Sequence, residues 1–234
     1  MKKRLAVFDI DGTIFRSSLI VELVDGLVKE GLFPKEAKKE IERDYVAWLS
    51  RKGSYVTYII KVVEVYQKYI KGINVDKAKT VAKKVIERER EKVYIYTRNL
   101  IANLKKENYF LLAISGSPDY IVEEFTKSLG FDGFYGGEYE VKNGLFTGRQ
   151  LVEVSNSKPE ILIRFLKEYG FDLKDTIGIG DSEIDISFLS LVGNPIAFNP
   201  DNVLAKVAKE KKWKIIIERK NVIYELKNFE IFTN

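Results

Sequence analysis

Short apolar runs that each end in a polar turn restrict the fold of this chain more than any other feature. Such runs occur at 109–114, 176–179, 193–198 and 214–217, and segments with apolar residues at helical spacing lie between them. Strands that alternate with helices are typical of an α/β domain built on a parallel sheet. In such sheets, ligands bind at the carboxyl ends of the strands. We therefore expect the polar turns to meet in one crevice.

A helical segment interrupts this pattern after the first apolar run, 5–10. Residues 16–107 are poor in Gly and Pro and place apolar side chains at helical spacing, as in Leu19, Leu23 and Leu27. Breaks at 31–34, 53–54 and 72–74 divide the segment into about four helices. We predict a core formed by 1–15 and 108–234, with 16–107 inserted as a helical cap. Around Asn143-Gly144, a preferred two-residue turn, residues 138–150 predict a β-hairpin.

The composition excludes several kinds of chemistry. None of the 234 residues is Cys or His, so disulfides, thiolate or imidazole metal sites and Cys or His catalysis are ruled out. An enzyme with this sequence must work with carboxylates, hydroxyls, Lys, Arg and the backbone. Oxygen ligands of this kind favour Mg²⁺ as the cofactor.

Charge and hydropathy limit the partners and the compartment. The apolar run after Met1 is interrupted at Asp9 and is too short for a signal peptide. A stretch of about 18 apolar residues, the minimum for a spanning helix, is absent. We therefore expect a cytoplasmic protein with no membrane partner. The net charge is +5, but lysines are interleaved with glutamates, so a nucleic-acid partner is not expected. The oligomeric state stays open.

Two carboxylates follow the first strand. If strand geometry persists, Asp9 and Asp11 lie on the same side of the chain. Two such acids can share a cation and divide the roles of nucleophile and proton carrier. Taken alone, the pair is equally consistent with an Asp-rich turn.

A second acidic turn follows the run at 176–179. Asp181 leaves that strand, and Asp185 lies one turn into the next helix. Carboxylates that cluster at strand ends need a cation to offset their repulsion. Asp9, Asp11 and Asp181 would then supply oxygen ligands to Mg²⁺. For Asp185 the alternative is a capping box with Ser182.

Two further positions could hold an anion. Ser115 and Gly116 lie between a strand and a helix N-terminus, where a hydroxyl and backbone N–H groups can bind phosphate oxygens. Lys158 lies in the first turn of a helix, where the dipole disfavours a cation unless an anion is bound nearby. The alternative for Ser115 and Gly116 is that they only form the turn. The alternative for Lys158 is a solvated lysine at the surface.

The order of these positions resembles that of the haloacid dehalogenase-like (HAD) superfamily. DIDGT at 9–13 matches its first motif, Ser115 its second, Lys158 its third and GDSEID at 180–185 its fourth. The helical insert between the first two motifs resembles the phosphoserine-phosphatase-like branch, subfamily IB. The resemblance covers nearly the whole chain. It implies a three-layer Rossmann-like parallel-sheet core with a β-hairpin flap and an inserted helical-bundle cap.

The resemblance also implies a Mg²⁺-dependent phosphomonoester hydrolase. Asp9 would attack phosphorus and form an aspartyl-phosphate, and Asp11 would act as general acid and base. Mg²⁺ would be held by Asp9, the Asp11 backbone carbonyl and Asp181. The dehalogenases lack an acid at the position of Asp11, which favours phosphoryl transfer over carbon–halogen cleavage.

The remaining motif positions would handle the phosphoryl group. Ser115, Gly116 and Lys158 would bind it. Supporting roles fall to Gly12 and Thr13, which shape the loop, and to Asp185, which supports the metal site or orients Lys158.

Two departures from phosphoserine phosphatases concern the substrate. Ser18 stands where those enzymes carry a Glu that binds the substrate amine, and Ile184 stands where they carry an Asn. A small phosphorylated metabolite is therefore expected as the partner, and phosphoserine is not favoured. Three alternatives stay open: a phosphotransferase or mutase that uses the same aspartyl-phosphate, a non-catalytic binding module, and a phosphatase acting on nucleic-acid ends.

Tyrosines are frequent in the predicted cap. Their rings could receive an aromatic ring or a quaternary ammonium group of a ligand. Packing between cap helices is the favoured interpretation. The seven cap tyrosines are Tyr45, Tyr55, Tyr58, Tyr66, Tyr69, Tyr94 and Tyr96.

Overall fold

A single eight-stranded sheet carries the apolar runs in the computed structural model, which describes residues 4–231. The strand order is β4-β3-β2-β1-β5-β6-β7-β8. Six strands, β3 to β7 in this order, are parallel, and the edge strands β4 and β8 are antiparallel to their neighbours. The strands are β1 (Leu5–Phe8), β2 (Phe110–Pro118), β3 (Gly133–Lys142), β4 (Leu145–Val152), β5 (Ile177–Gly180), β6 (Asn194–Phe198), β7 (Lys214–Arg219) and β8 (Val222–Leu226).

Helices cover both faces of the sheet. Successive side chains of a strand point to opposite faces, and in β1 Val7 packs on one side and Phe8 on the other. The described helices are α1 (Leu19–Lys29), α2 (Glu36–Leu49), α3 (Tyr55–Ile70), α4 (Val75–Glu89), α5 (Ile95–Lys106), α6 (Asp119–Leu129), α7 (Lys158–Tyr169), α8 (Ile186–Leu189) and α9 (Asn202–Glu210). Helices α7, α8 and α9 pack on the Val7 side, and α5 and α6 pack on the Phe8 side. The predicted three-layer α/β fold is thus confirmed.

The insert contains five helices, so the prediction of about four was wrong. No Gly or Pro separates α4 from α5. The break is made by a tertiary contact, because Val93 forms a β-bridge with Phe15 and the Tyr94 N–H donates to the Ile14 carbonyl at 3.0 Å. A helix break caused by contact with a distant segment needs no Gly or Pro in the local sequence, so the sequence gives no sign of it.

Helix α5 begins against the sheet. The backbone N–H groups of Ile95 and Tyr96 donate to the Glu218 carboxylate of β7 at 3.0 and 2.8 Å. The ring of Tyr96 stacks on Phe198 of β6 with a centroid distance of 5.6 Å. The division of the chain into a core and a cap of 16–107 stays a prediction, and within it α5 contacts the sheet.

The predicted hairpin is formed by β3 and β4, and it contacts the helical insert. Asn143 and Gly144 adopt the positive φ that its turn requires. The Gly72 N–H, between α3 and α4, donates to the Phe146 carbonyl at 2.7 Å. On the same side, the hydroxyls of Tyr66 and Tyr120 are hydrogen-bonded at 2.9 Å. Helix α3 is therefore fixed to the hairpin and to α6.

Within residues 4–231, none of the helices combines the length and the apolar character that crossing a membrane requires.

Candidate active site

Asp9 follows β1 directly and is almost completely buried. Its N–H donates to the Ile179 carbonyl of β5 at 2.9 Å, which places its side chain at the carboxyl end of the sheet centre. One carboxylate oxygen, Oδ1, accepts a hydrogen bond from Lys158 Nζ at 2.7 Å. The other, Oδ2, is buried and has no hydrogen-bond partner among the described residues. A buried carboxylate oxygen without a partner is costly, so this atom marks a place where a cation is needed.

Lys158 bridges two carboxylates at the start of α7. Besides Asp9, its Nζ contacts Asp185 Oδ1 at 2.5 Å, and its side chain is only 4% exposed. Burial opposes the ammonium charge, but Asp185 and Asp9 outweigh this effect and raise the pKa of Lys158 above its usual value. Lys158 therefore stays protonated, despite its position in the first turn of a helix.

Asp185 makes two separate sets of contacts through its two carboxylate oxygens. Its Oδ2 accepts the backbone N–H groups of Asp181 at 3.0 Å and Ser182 at 3.1 Å, which forms a capping box with the Ser182 hydroxyl. Its Oδ1 contacts Lys158. Asp185 thus fixes the turn that carries Asp181 and orients the ammonium group at the same time.

Three carboxylates meet around a single ammonium group. Oxygens of Asp9, Asp181 and Asp185 lie within 4.8 Å of one another. Burial raises the pKa of Asp9 to about 7, with Lys158 opposing the rise and Asp185 and Asp11 adding to it. Burial, together with Asp9 and Asp185, also raises the pKa of Asp181 well above its usual value. The single ammonium group therefore does not balance the three acids, and a divalent cation on Asp9 and Asp181 would supply the missing positive charge.

Asp11 lies on the β2 side of Asp9 and is held by three donors. Its carboxylate accepts the Leu19 N–H at 2.5 Å, the Ser115 hydroxyl at 2.6 Å and the Ser117 hydroxyl at 3.1 Å. These donors come from the first residue of α1 and from the end of β2. They fix the carboxylate in one orientation near Asp9.

Gly12 and Thr13 pack against Asp181. The Thr13 hydroxyl donates to Asp181 Oδ1 at 3.1 Å. Gly12 has a φ of +86°, and a Cβ at this position would overlap the Asp181 carboxylate. Glycine is therefore needed here both for backbone conformation and for the close approach of the acid.

The two acidic turns and the β2 turn surround a cavity of about 80 Å³. Gly116 and Lys158 line it, as predicted for phosphate binding. The Ser115 hydroxyl, in contrast, donates to Asp11 and accepts the Ser117 N–H at 3.0 Å. The predicted roles of these residues in binding phosphate stay predictions. The lining residues are Asp9, Asp11, Ser18, Ile20, Tyr55, Ile59, Val63, Gly116, Ser117, Ser155, Lys158, Ser182 and Ile184.

Several lining residues are not singled out from the sequence. Ser117 belongs to the same Ser-Gly-Ser-Pro turn as Ser115 and could have been recognised from it. Ser155 precedes α7, and a Cβ on Gly116 would overlap its hydroxyl, so the two residues are in close contact. Tyr55 reaches the cavity from the first turn of α3. No local signal identifies Tyr55, because its position depends on how α3 packs over the sheet.

The sequence profile of the haloacid dehalogenase-like hydrolases matches residues 6–190, which include all four acidic residues of the site. The chain therefore belongs to the haloacid dehalogenase-like hydrolase family. Within this family it is similar to phosphoserine phosphatases, and the predicted branch is confirmed. The family and these relatives also confirm the prediction of a phosphatase-type enzyme.

Two archaeal relatives and one solved structure define this similarity. The phosphoserine phosphatase of Methanocaldococcus jannaschii is 28% identical over 94% of this chain and 95% of its own. That of Archaeoglobus fulgidus is 29% identical over 88% of this chain, which spans only 56% of that longer relative. A phospho-aspartyl intermediate analogue of phosphoserine phosphatase superposes with a TM-score of 0.63 at 26% identity, covering 94% of this chain and 96% of that one.

Proposed function

We propose that this protein is a Mg²⁺-dependent phosphomonoester hydrolase that acts through an aspartyl-phosphate on Asp9. One observation carries the proposal. Asp9 Oδ2 is buried and finds no hydrogen-bond partner in the described part of the chain. It lies beside Asp181, at a cavity that Asp11, Gly116 and Lys158 also line. A carboxylate arranged in this way can bind a cation and present an oxygen to a phosphoryl group.

Asp9 is the nucleophile in this mechanism. One of its carboxylate oxygens forms a bond to phosphorus while the bond from phosphorus to the ester oxygen breaks. Lys158 holds the Asp9 carboxylate in place and offsets the negative charge of the incoming phosphoryl oxygens. The solved phosphoserine phosphatase that carries a phospho-aspartyl analogue supports the same step in a relative.

Asp11 moves the protons. In the first half-reaction its carboxylic acid donates a proton to the departing alcohol. In the second, its carboxylate removes a proton from the water that attacks phosphorus, and this releases phosphate and restores Asp9. The donors on Asp11, from Leu19, Ser115 and Ser117, keep its carboxylate aimed at this region.

The acidic cluster fits Mg²⁺. Asp9 and Asp181 would hold the ion through their carboxylates, together with the Asp11 backbone carbonyl, and Asp185 would orient the cluster from behind. When bound, Mg²⁺ supplies positive charge that offsets the repulsion between the Asp9 carboxylate and the phosphate dianion. Gly116, Ser117 and Lys158 line the space where the phosphoryl oxygens would lie.

The substrate is a small phosphorylated metabolite under this proposal, and phosphoserine is not favoured. Ser18 and Ile184, the two departures from phosphoserine phosphatases, both line the catalytic cavity. Neither side chain carries a charge that could pair with an amino-acid ammonium or carboxylate group. The reaction stays the same, since the positions that handle phosphate are all present.

Phosphate release from a panel of phosphomonoesters tests the proposal. We expect release with Mg²⁺, none in EDTA, and none from Asp9→Asn with its fold retained. Asp76→Asn, at an exposed position in the first turn of α4, is the matched control and should keep full activity. Full activity of Asp9→Asn would contradict the assignment of the nucleophile.

A further inference from the structure

A cleft of about 720 Å³ lies in the cap between α1, α2 and α3. One wall is a cluster of four aromatic side chains, Tyr45, Trp48, Tyr55 and Tyr58. Trp48 stacks on Tyr58 with ring centroids 5.5 Å apart, and Tyr55 lies 5.3 Å from Trp48. Tyr45 is 40% exposed, although a large aromatic ring favours burial. The cluster thus presents aromatic surface to the cleft.

The cleft adjoins the catalytic cavity. Ser18 and Tyr55 line both spaces. Along α3, Tyr55 and Ile59 face the catalytic cavity, while Tyr58 and Val62 face the cleft. The Tyr55 hydroxyl end is buried, and burial raises its pKa well above the usual value, with the charges of Asp11 and Asp181 adding to the rise. Tyr55 and Ser18 therefore lie at the boundary that the two spaces share.

The sizes of the two spaces differ in a way that bears on the substrate. Sites for organic ligands usually have volumes of about 300–1,000 Å³. The catalytic cavity, at about 80 Å³, accepts a phosphoryl group and little more. The cleft, at about 720 Å³, has room for an organic group. A substrate whose phosphate lies at Asp9 would extend past Ser18 and Tyr55 into the cleft.

The charges of the cleft argue against a cationic occupant. Its wall carries three acidic and four cationic side chains. Glu22 pairs with Lys92 at 2.8 Å, and Asp25 pairs with Lys38. The third acid, Glu42, is outnumbered by the two remaining cations, Arg16 and Lys39. Aliphatic side chains add to the apolar surface of the aromatic cluster. The aliphatic side chains are Val21, Val24, Ile41 and Val62. Apolar and aromatic walls of this kind bind uncharged rings by burying their surface.

We propose that this cleft is the subsite for the organic group of the substrate, and that the substrate is the phosphate ester of an uncharged aromatic alcohol. The inference rests on the proposed function, because it assigns the group that leaves when phosphate is transferred to Asp9. Trp48 and Tyr45 contact the ring of the substrate, and Tyr55 positions the ester at the passage between the two spaces.

A series of esters with alcohols of similar acidity tests the substrate class: ethyl, benzyl and 2-naphthylmethyl phosphate, with phosphoserine and phosphocholine added. We expect kcat/KM to rise from ethyl to naphthylmethyl phosphate by about tenfold or more, the range that apolar contacts provide. A preference for phosphoserine or phosphocholine would overturn the inference and leave the proposed hydrolysis intact. If no ester is hydrolysed, the proposed function itself fails.

Substitutions in the aromatic cluster test whether the preference for aromatic esters arises in the cleft. Trp48→Ala should reduce kcat/KM for naphthylmethyl phosphate about tenfold and change that for ethyl phosphate less than about twofold. Leu49→Ala is the matched control, because this neighbour on α2 is 61% exposed and lines neither space. Tyr45→Ala is a second variant at a more exposed position, in case Trp48→Ala does not fold. Equal losses for both esters would overturn the inference.

Tryptophan fluorescence gives a readout that does not depend on turnover. The sequence has two tryptophans, and Trp213→Phe leaves Trp48 as the single reporter. The non-hydrolysable 2-naphthylmethylphosphonate should quench Trp48 emission at saturation, and ethylphosphonate should not. Quenching by neither compound, with the same esters hydrolysed, would place the organic group elsewhere.

Discussion

Lys158 Nζ lies 2.7 Å from Asp9 Oδ1, although the two residues are 149 positions apart in the sequence. Both side chains are almost fully buried. The pairing of β1 with β5 and the packing of α7 on the sheet bring them together. Because the second oxygen of Asp9 has no hydrogen-bond partner among residues 4–231, the ion pair holds the carboxylate but leaves one of its oxygens free. This combination of a fixed position and a free oxygen is what a nucleophile needs.

Removing the Lys158 ammonium should destabilise the protein as well as inactivate it. In Lys158→Met, Asp9 and Asp185 lose their shared cation inside the core. Breaking a buried ion pair from one side typically costs about 3–5 kcal/mol. Chemical denaturation should register a loss of this size. Lys167→Met, at an exposed position on the same helix, is the control. Unchanged stability of Lys158→Met would contradict the charge balance described for the cluster.

The stability of the metal-free protein should fall as the pH rises from about 4 to about 7. Burial raises the pKa of Asp9 from 3.8 to about 7, so the folded protein keeps a proton in this range that the unfolded chain has released. The stability that this proton contributes is complete at low pH and is lost as the pH passes the pKa of the folded state. Unfolding measured in EDTA at several pH values checks this, and Asp9→Asn should flatten the curve.

Mg²⁺ should stabilise the protein more at pH 8 than at pH 5. At the lower pH the ion must displace the proton that the cluster of Asp9 and Asp181 retains, because the pKa values of both acids are raised. Thermal unfolding with and without Mg²⁺ at the two pH values gives the comparison. An equal increase in Tm at both would indicate that the ion binds elsewhere.

Gly116 and Ser155 should behave as a coupled pair. A Cβ at position 116 would overlap the Ser155 hydroxyl, whereas the Ser155 Cβ lies 3.6 Å away, at ordinary contact distance. We expect Gly116→Ala to cost about 1–3 kcal/mol, as overpacking does, and to lower kcat. Adding Ser155→Ala should restore most of the stability. A double-mutant cycle measures the coupling, and additive losses would exclude it.

Ser117→Ala should lower both kcat and stability, with the fold retained. The Ser117 hydroxyl donates to the Asp11 carboxylate at 3.1 Å and accepts the Ile20 N–H at 3.1 Å, so it links the proton carrier to α1. A hydrogen bond to a charged group contributes about 1.5–3 kcal/mol to stability, so chemical denaturation should show a loss of this order. Because the Asp11 carboxylate is then held less firmly, kcat should fall about tenfold. Ser187→Ala, exposed on α8, is the control. A change in KM alone would assign Ser117 to substrate binding.

The position of the acidic cluster could be predicted from the sequence because it follows from strand geometry. Asp9 and Asp181 each end a parallel strand, and β1 and β5 are neighbours, so the two carboxylates had to meet. For Asp185 the capping box could be predicted from its spacing to Ser182, and its second oxygen also contacts Lys158. Its role toward the metal site stays a prediction.

Features that depend on how the helices pack could not be predicted. The break between α4 and α5 arises from the β-bridge between Val93 and Phe15. No Gly or Pro near Val93 indicates this break. The seven cap tyrosines gave no indication of which rings would pack and which would face a ligand. Tyr66 is fully buried and its hydroxyl is hydrogen-bonded to that of Tyr120, whereas Tyr45 and Tyr55 line the cleft. Only the arrangement of α2 and α3 separates these cases.

In the proposed mechanism, Asp9 carries the phosphoryl group during turnover. Acid quenching of the Mg²⁺-loaded enzyme during hydrolysis of benzyl phosphate, followed by peptide mass spectrometry, tests it most directly. We predict a phosphorylated peptide modified at Asp9, and no such peptide from Asp9→Asn. Turnover with no phosphorylation at Asp9, or with phosphorylation at another residue, would contradict the account.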